Sequence, residues 1–310
     1  NLKAYIEGAY QRNMRLAFRV VVDSRDKRTE FTPQFVKDAG AKGFMNKGKW
    51  SPYSDDPVFQ KYYTKFVKAL AKDFNDPSKV EFIDGFGLGK WGEYHTMIYS
   101  TGDDTPKKAV FDWVTDIYSQ AFDKVPVVIN YHRWIGAGKD WVDDEHFAVD
   151  SEEMLEEAIK KGYSLRHDAF GMTTYYGSWE RRFAKKYRNI CPIIMEGGWI
   201  VKSHSYWQDP RGYRKDSHED VRRGDDSKEA HVNMMDFRFG DTESWFKDAF
   251  DLVRRFLREG GYRLYPSEIS LPLEVSKKGT PTIKHCWNNM GWGYCPTNIP
   301  QWNQKYKVAF

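Results

Sequence analysis

The sequence predicts an α/β fold, a (β/α)₈ TIM barrel followed by an antiparallel β module, and three observations carry that expectation. Short apolar runs alternate with helical periodicity from Leu16 to Arg258, the runs end on polar or glycine-rich segments, and after Gly260 and Gly261 the pattern changes to strand propensity with turns. Alternating β and α elements predict a parallel sheet, whose buried strands are nearly continuously apolar and whose C-terminal ends gather reactive side chains. A chain of 310 residues holds one barrel of about 250 residues plus an appendage. The expected domains are the barrel over 1–261 and the start of a β-sandwich-like module over 262–310, which looks incomplete against the roughly 100 residues of a sandwich.

Each element follows from its own pattern. Asn1 to Asn13, NLKAYIEGAYQRN, reads as a helix, an abrupt start that predicts residues before Asn1. Leu16 to Asp23, LAFRVVVD, is a β-branched strand running into a loop with Ser24, Arg25 and Asp26. Val58 to Phe74 carries apolar residues at helical spacing, with Pro57 in the first turn and Asp55 or Asp56 as N-cap. Val80 to His95, VEFIDGFGLGKWGEYH, begins as a buried strand, breaks into glycines and then presents Trp91, Glu93, Tyr94 and His95. Lys107 to Phe122 is helical, Val125 to Tyr131 a strand, Glu152 to Lys161 a helix, Ser164 to Phe170 a short strand, and Glu180 to Tyr187 a helix. Cys191 to Trp199, CPIIMEGGW, is a strand that ends on a glutamate beside glycines and an aromatic.

The polar stretch from Lys202 to Asp226 reads as a long loop, expected to act as a lid and to run into a helix near Ser217 to Ala230. His231 to Phe239 is the last strand of the series, and Thr242 to Arg258 is an amphipathic helix stopped by the glycine pair. Beyond it, YRLYPSEISLPLEV and TPTIKHCWNN form the β module. Six or seven strand-helix units fall one strand short of a barrel. Either the first strand precedes Asn1, or the sheet is an open doubly wound one.

Composition excludes several classes. A formal net charge of +4 from 48 basic and 44 acidic residues implies neither a nucleic-acid partner nor a charged membrane surface. No apolar run approaches the roughly 20 residues of a membrane span, and no signal-peptide pattern stands in the chain as given. Three cysteines make neither a disulfide framework nor a metal-type CxxC; Cys191 is expected to be buried, and Cys286 and Cys295 either bridge or stay free. GFGLGKWG lacks dinucleotide-fingerprint spacing, and no Walker or GxSxG motif occurs, so no cofactor is expected. Aromatics reach 16%, with 12 Trp and 19 Tyr, and such side chains supply the flat platforms on which sugars stack.

In the barrel reading the strand ends share one pocket. They contribute Asp23 and Arg25; Trp91, Glu93 and His95; Asn130, Tyr131, His132 and Arg133; Arg166, His167 and Asp168; Glu196 and Trp199; and Asp236 and Arg238. Two carboxylates on opposite walls suit glycosidic cleavage, because one protonates the leaving oxygen while the other attacks the anomeric carbon or activates water. Glu93 is expected as acid/base and Glu196 as nucleophile. Trp91 and a nearby carboxylate would favour the protonated acid, and Arg166, Arg238 or Tyr131 would hold the nucleophile ionised. Trp91, His95, Asn130, Tyr131, His132, Arg166, His167, Asp168, Trp199, Asp236 and Arg238 form the expected substrate-binding set, with Trp179 or Trp207 joining from loops. The arginines suit an anionic glycan, sulfated or uronic, unless they pair with Asp23, Asp168 and Asp236.

Strand, WGE at a strand end, and an apolar strand ending in MEGGW three units later resemble clan-A glycoside hydrolases. The closest likeness is to the β-galactosidase-like family 42 group and its barrel relatives with C-terminal β domains. The resemblance covers Leu16 to Arg258 and implies a retaining enzyme with the acid/base after strand four, at Glu93, and the nucleophile after strand seven, at Glu196. Polysaccharide degradation implies a secreted or periplasmic location. One departure stands out: the clan carries Asn before the acid/base, to hold the sugar 2-hydroxyl, and Gly92 occupies that place here, leaving Asn130, His132 or His95 to reach in. Two alternatives remain open. One is a carbohydrate-binding barrel without activity; the other is a metal-dependent hydrolase using His95, His132, His167 and Asp168, which lacks HxH or HExxH spacing.

Overall fold

Apolar strands alternate with amphipathic helices in a computed structural model that describes residues 2–24, 29–138, 145–170, 176–197, 225–237, 242–248 and 250–296. The chain divides into two compact units, residues 1–167 with 296–310, and residues 168–295.

The first unit contains α1 (Leu2–Tyr10), β1 (Leu16–Arg19), α2 (Gln34–Asp38), β2 (Gly43–Asn46), β3 (Lys49–Pro52), α3 (Pro57–Phe74), β4 (Val80–Asp84), α4 (Lys107–Ala121), β5 (Val127–Asn130) and α5 (Glu145–Lys160). β6 (Ser164–Phe170) spans the point of division. The second unit contains α6 (Ser178–Tyr187), β7 (Ile193–Gly197), α7 (Asp225–Glu229), β8 (Val232–Asp236), α8 (Thr242–Asp248), α9 (Phe250–Glu259), β9 (Leu264–Ser270) and β10 (Lys284–Asn289). The strand order of the main sheet is β1-β4-β5-β6-β7-β8, and β2-β3 and β9-β10 form separate antiparallel pairs. The fold is therefore mixed α/β, with six strands in the main sheet among the described residues where a closed barrel has eight.

Local chemistry sets the elements. Asp56 caps α3 by accepting the Phe59 N–H at 2.8 Å, with Pro57 in the first turn. Asp55, the other expected cap, instead accepts from the Ser100 N–H at 2.9 Å. Phe59, Tyr63, Val67 and Ala71 recur every four residues along α3 and are its buried stripe. β4 and β5 bury Val80, Ile83, Val127, Val128 and Ile129 almost completely, as parallel strands covered on both faces must.

The structure departs from the sequence expectation near the site in two places, and elsewhere in α2, which was not expected, and in α5, which begins at Glu145 rather than Glu152. β1 ends at Arg19 rather than Asp23, because the following backbone finds partners outside the ladder: the Val22 N–H bonds Gly87 O at 3.3 Å and the Ser24 N–H bonds Ser51 Oγ at 3.1 Å. The β2-β3 hairpin has no counterpart in the sequence reading. Its turn residues Lys47 and Gly48 both have positive φ, 50° and 76°, as a type I′ turn requires.

In the second unit α7 is anchored by Arg181, which donates to both oxygens of buried Asp226 at 2.8 and 3.2 Å. Trp245 and Val253 form a small core with Phe237 and Leu252. The β9-β10 residues are exposed throughout; Cys191 is buried, as expected, and Cys286 and Cys295 are not joined to each other. Among the described residues no helix is long and apolar enough to cross a membrane.

Five buried tyrosines hydrogen-bond in and around the loop after β4. Tyr163 Oη donates to Gly85 O at 2.8 Å, Tyr63 Oη to Phe86 O at 2.9 Å, and Tyr63 and Tyr118 share a hydrogen bond at 2.9 Å. Tyr94 Oη donates to Lys107 O at 3.1 Å and Tyr99 Oη to Gly136 O at 2.9 Å. Burial pushes the hydroxyl pKa of all five upward. An unfolded tyrosine ionises near pH ~10, so above that pH the unfolded chain releases protons that the folded one keeps. The stabilisation is complete below pH ~10 and is lost as pH rises further. Urea midpoints are expected to fall above that pH, with the absorbance of these tyrosinates appearing together with unfolding; smooth titration of all five in an intact fold would contradict the cluster.

Candidate functional site

The loop leaving β4 is the least ordinary backbone of the first unit. Gly87, Trp91, Gly92, Tyr94 and Thr96 have φ of 77°, 58°, 76°, 60° and 49°. Left-handed backbone is uncommon for residues with a Cβ, and three such residues in one short loop cost about 1–3 kcal/mol each. The cost is carried by a closed set of hydrogen bonds: Lys90 N–H to His95 O at 3.1 Å, Tyr94 N–H to Leu88 O at 3.0 Å, and Gly136 N–H to Tyr94 O at 2.8 Å. The backbone reversals direct Glu93 and His95 inward, 5% and 2% exposed, and leave Trp91 42% exposed. Lys90 Nζ stands 4.0 Å over the Trp91 ring, and the His95 ring meets Trp91 edge-on at 5.7 Å.

Gly92, where the sequence resemblance led to an expectation of asparagine, sits in a tight place. A Cβ there would lie 2.7 Å from the Val20 carbonyl oxygen, on a backbone already at φ 76°. An asparagine therefore has no room in this loop. Asn130 comes near instead, its Nδ2 3.5 Å from the Glu93 carbonyl.

Charges meet on the Glu93 carboxylate. Arg19, the last residue of β1, donates from Nη1 to Glu93 Oε1 at 2.6 Å and from Nε to Asp84 Oδ2 at 2.8 Å. Arg166 Nε stands 3.6 Å from the same Asp84 oxygen. Two buried carboxylates and two arginines thus alternate in one chain of ion pairs, the arrangement in which buried charge is tolerated. The second Glu93 oxygen, Oε2, lies 3.4 Å from His95 Nε2, while His95 Nδ1 meets Thr96 Oγ1 at 2.9 Å.

His132 is fully buried and has a fixed tautomer. Its Nδ1 accepts the Trp134 N–H at 3.1 Å, and its Nε2 lies 3.0 Å from the Glu93 carbonyl oxygen, which only accepts. The proton must sit on Nε2, and the ring is neutral. His132 consequently holds the backbone of Glu93 in place. A metal bound at His132 would have to displace one of these two bonds.

The first unit brings Trp91, Glu93, His95, Asn130 and His132 together. Tyr131 packs edge-on against His167 at 5.0 Å, and Arg166 engages Asp84. Asp168 is buried in β6. Asp23 accepts from Ser51 Oγ at 3.4 Å, beside the hairpin. In the second unit Glu196, half-buried at the end of β7, is the register partner of exposed Asp236 on β8. Trp179 belongs to α6 rather than a loop and stacks on Phe183 at 5.1 Å. Arg25, Trp199, Trp207, Arg238 and nearly all of the expected lid lie outside the described residues. Arg19 and Asp84 were missed by sequence reasoning; the signal was a charge inside each of two apolar runs, LAFRVVVD and VEFIDGFG.

Gly92→Asn is expected to destabilise the fold by about 1–3 kcal/mol, read as a lower denaturant midpoint; an unchanged midpoint would show that the loop has room. His132→Leu leaves the Glu93 carbonyl and the Trp134 N–H without their partner and is expected to cost about 1–3 kcal/mol for each buried group. Calorimetry that shows wild-type stability for it would remove His132 from its supporting role.

The chain matches no family model, no curated protein and no solved structure.

Proposed function

We propose that the chain is a glycoside hydrolase, retaining in mechanism, built on a (β/α)₈ barrel, with Glu93 as acid/base and Glu196 as nucleophile. The observation that carries the reading is the setting of Glu93: a buried glutamate after a parallel strand, with Arg19 on one oxygen, His95 on the other, and an exposed tryptophan two residues away. Proton transfer needs a carboxyl whose proton has a defined place, and Oε2 beside His95 Nε2 provides one. A sugar ring needs a flat apolar face next to the reacting group, which Trp91 supplies. Glu196 and Asp236, adjacent at the ends of β7 and β8, supply carboxylates for the nucleophilic role. Lys90 beside Trp91 favours an anionic glycan. In the first step the Glu93 proton passes to the leaving oxygen, the electron pair of the C–O bond goes with that oxygen, and a Glu196 lone pair forms the glycosyl-enzyme bond.

A panel of aryl glycosides and of neutral, acidic and sulfated galactans tests the reading. Glu93→Gln is expected to lower kcat by about 10²–10⁴-fold on substrates that need acid help, and Glu196→Gln by at least as much with glycan binding intact. Unchanged turnover in Glu196→Gln returns that residue to a structural role, and binding without turnover across the panel favours the carbohydrate-binding alternative. Full activity after chelator treatment is expected; its loss would favour the metal-dependent alternative.

A further inference from the structure

We infer that Arg19 is a positioning residue that gives the two oxygens of Glu93 different jobs. This rests on the reading of Glu93 as acid/base. A guanidinium only donates hydrogen bonds, so Glu93 Oε1, 2.6 Å from Arg19 Nη1, can only accept. The exchangeable proton of the carboxyl is thereby confined to Oε2, the oxygen 3.4 Å from His95 Nε2. His95 fits either side of the exchange. With the proton on Oε2, Nε2 accepts and Nδ1–H donates to Thr96 Oγ1; with the proton on Nε2, Oε2 accepts and the Thr96 hydroxyl donates to Nδ1.

Arg19 is itself held from the far side. Its Nε donates to Asp84 Oδ2 at 2.8 Å, and Arg19 and Asp84 are register partners on the parallel strands β1 and β4. The guanidinium is therefore fixed by two carboxylates at once, which sets the plane and rotamer of the Glu93 carboxyl. Arg166 balances the remaining charge on Asp84. Any ordinary structural ion pair would end there. What distinguishes this one is that the arginine selects which oxygen of the proposed acid carries the proton while the other oxygen is anchored.

Leaving-group dependence separates positioning from mere support. A 2,4-dinitrophenyl glycoside departs without protonation, whereas a phenyl glycoside needs the acid. Arg19→Met is expected to lower kcat/KM, which reads the step that needs the acid, about 100-fold for the phenyl glycoside while changing kcat/KM for the dinitrophenyl glycoside at most about threefold. Arg19→Lys keeps the charge but not the planar fork, and is expected to fall between the two. Because Arg19→Met leaves Asp84 and Glu93 without their shared cation, the double variant Arg19→Met with Asp84→Asn is the control: it restores charge balance and is expected to regain thermal stability without regaining phenyl glycoside turnover.

Equal losses on both glycosides, or recovery of phenyl glycoside turnover in the double variant, would overturn the inference. Glu93→Gln, measured alongside, keeps the two readings apart. If Glu93→Gln shows the leaving-group contrast and Arg19→Met does not, the inference fails and the acid/base assignment stands. If Glu93→Gln turns over both glycosides as the wild type does, or the wild type turns over neither, the assignment itself fails and the inference goes with it.

Discussion

The bond from Arg19 to both Asp84 and Glu93 is the interaction on which the first unit's site depends. Buried carboxylates are costly unless paired, and here two of them share one guanidinium, with Arg166 closing the series. The arrangement links sequence positions far apart: the end of β1, the end of β4 and the loop beyond it. Removing Arg19 takes the shared cation from both Asp84 and Glu93, so the fold and the site are tied to the same contacts.

Around this ionic chain the protein supplies rigidity by two other means. Tyrosine hydroxyls satisfy the carbonyls of Gly85 and Phe86, and the neutral His132 satisfies that of Glu93. Carbonyls that leave a strand end without ladder partners are otherwise a liability in a buried place. The loop can thus turn left-handed several times without exposing its backbone. Its side chains are sorted inward and outward by that turning rather than by a strand's simple alternation.

Much of the framework was legible in the sequence. An aspartate cap on α3, at Asp55 or Asp56, the bounds of β6 at Ser164 and Phe170, and the apolar runs of β4, β5 and β7 all follow from periodicity and capping chemistry. The loop with Glu93 was also legible, since glycines and aromatics interrupt an apolar strand. Arg19 and Asp84 were not, because a parallel register cannot be read from one strand: an arginine closing LAFR and an aspartate closing VEFID become partners only when β1 lies beside β4. The hairpin escaped because its turn is Lys47-Gly48 rather than the Asn-Gly or Asp-Gly that announces a type I′ turn. The role of Gly92 depends on a carbonyl more than seventy positions earlier in the chain, at Val20.

Trp91 shows what the loop forgoes. At φ 58° a glycine would sit without strain, yet the chain carries its bulkiest side chain there and leaves 42% of it exposed. A residue that neither fills the core nor eases the backbone lowers stability at its own position. In evolutionary terms Trp91 is a place where drift toward a more stable protein is easy and where the indole would be the first thing surrendered.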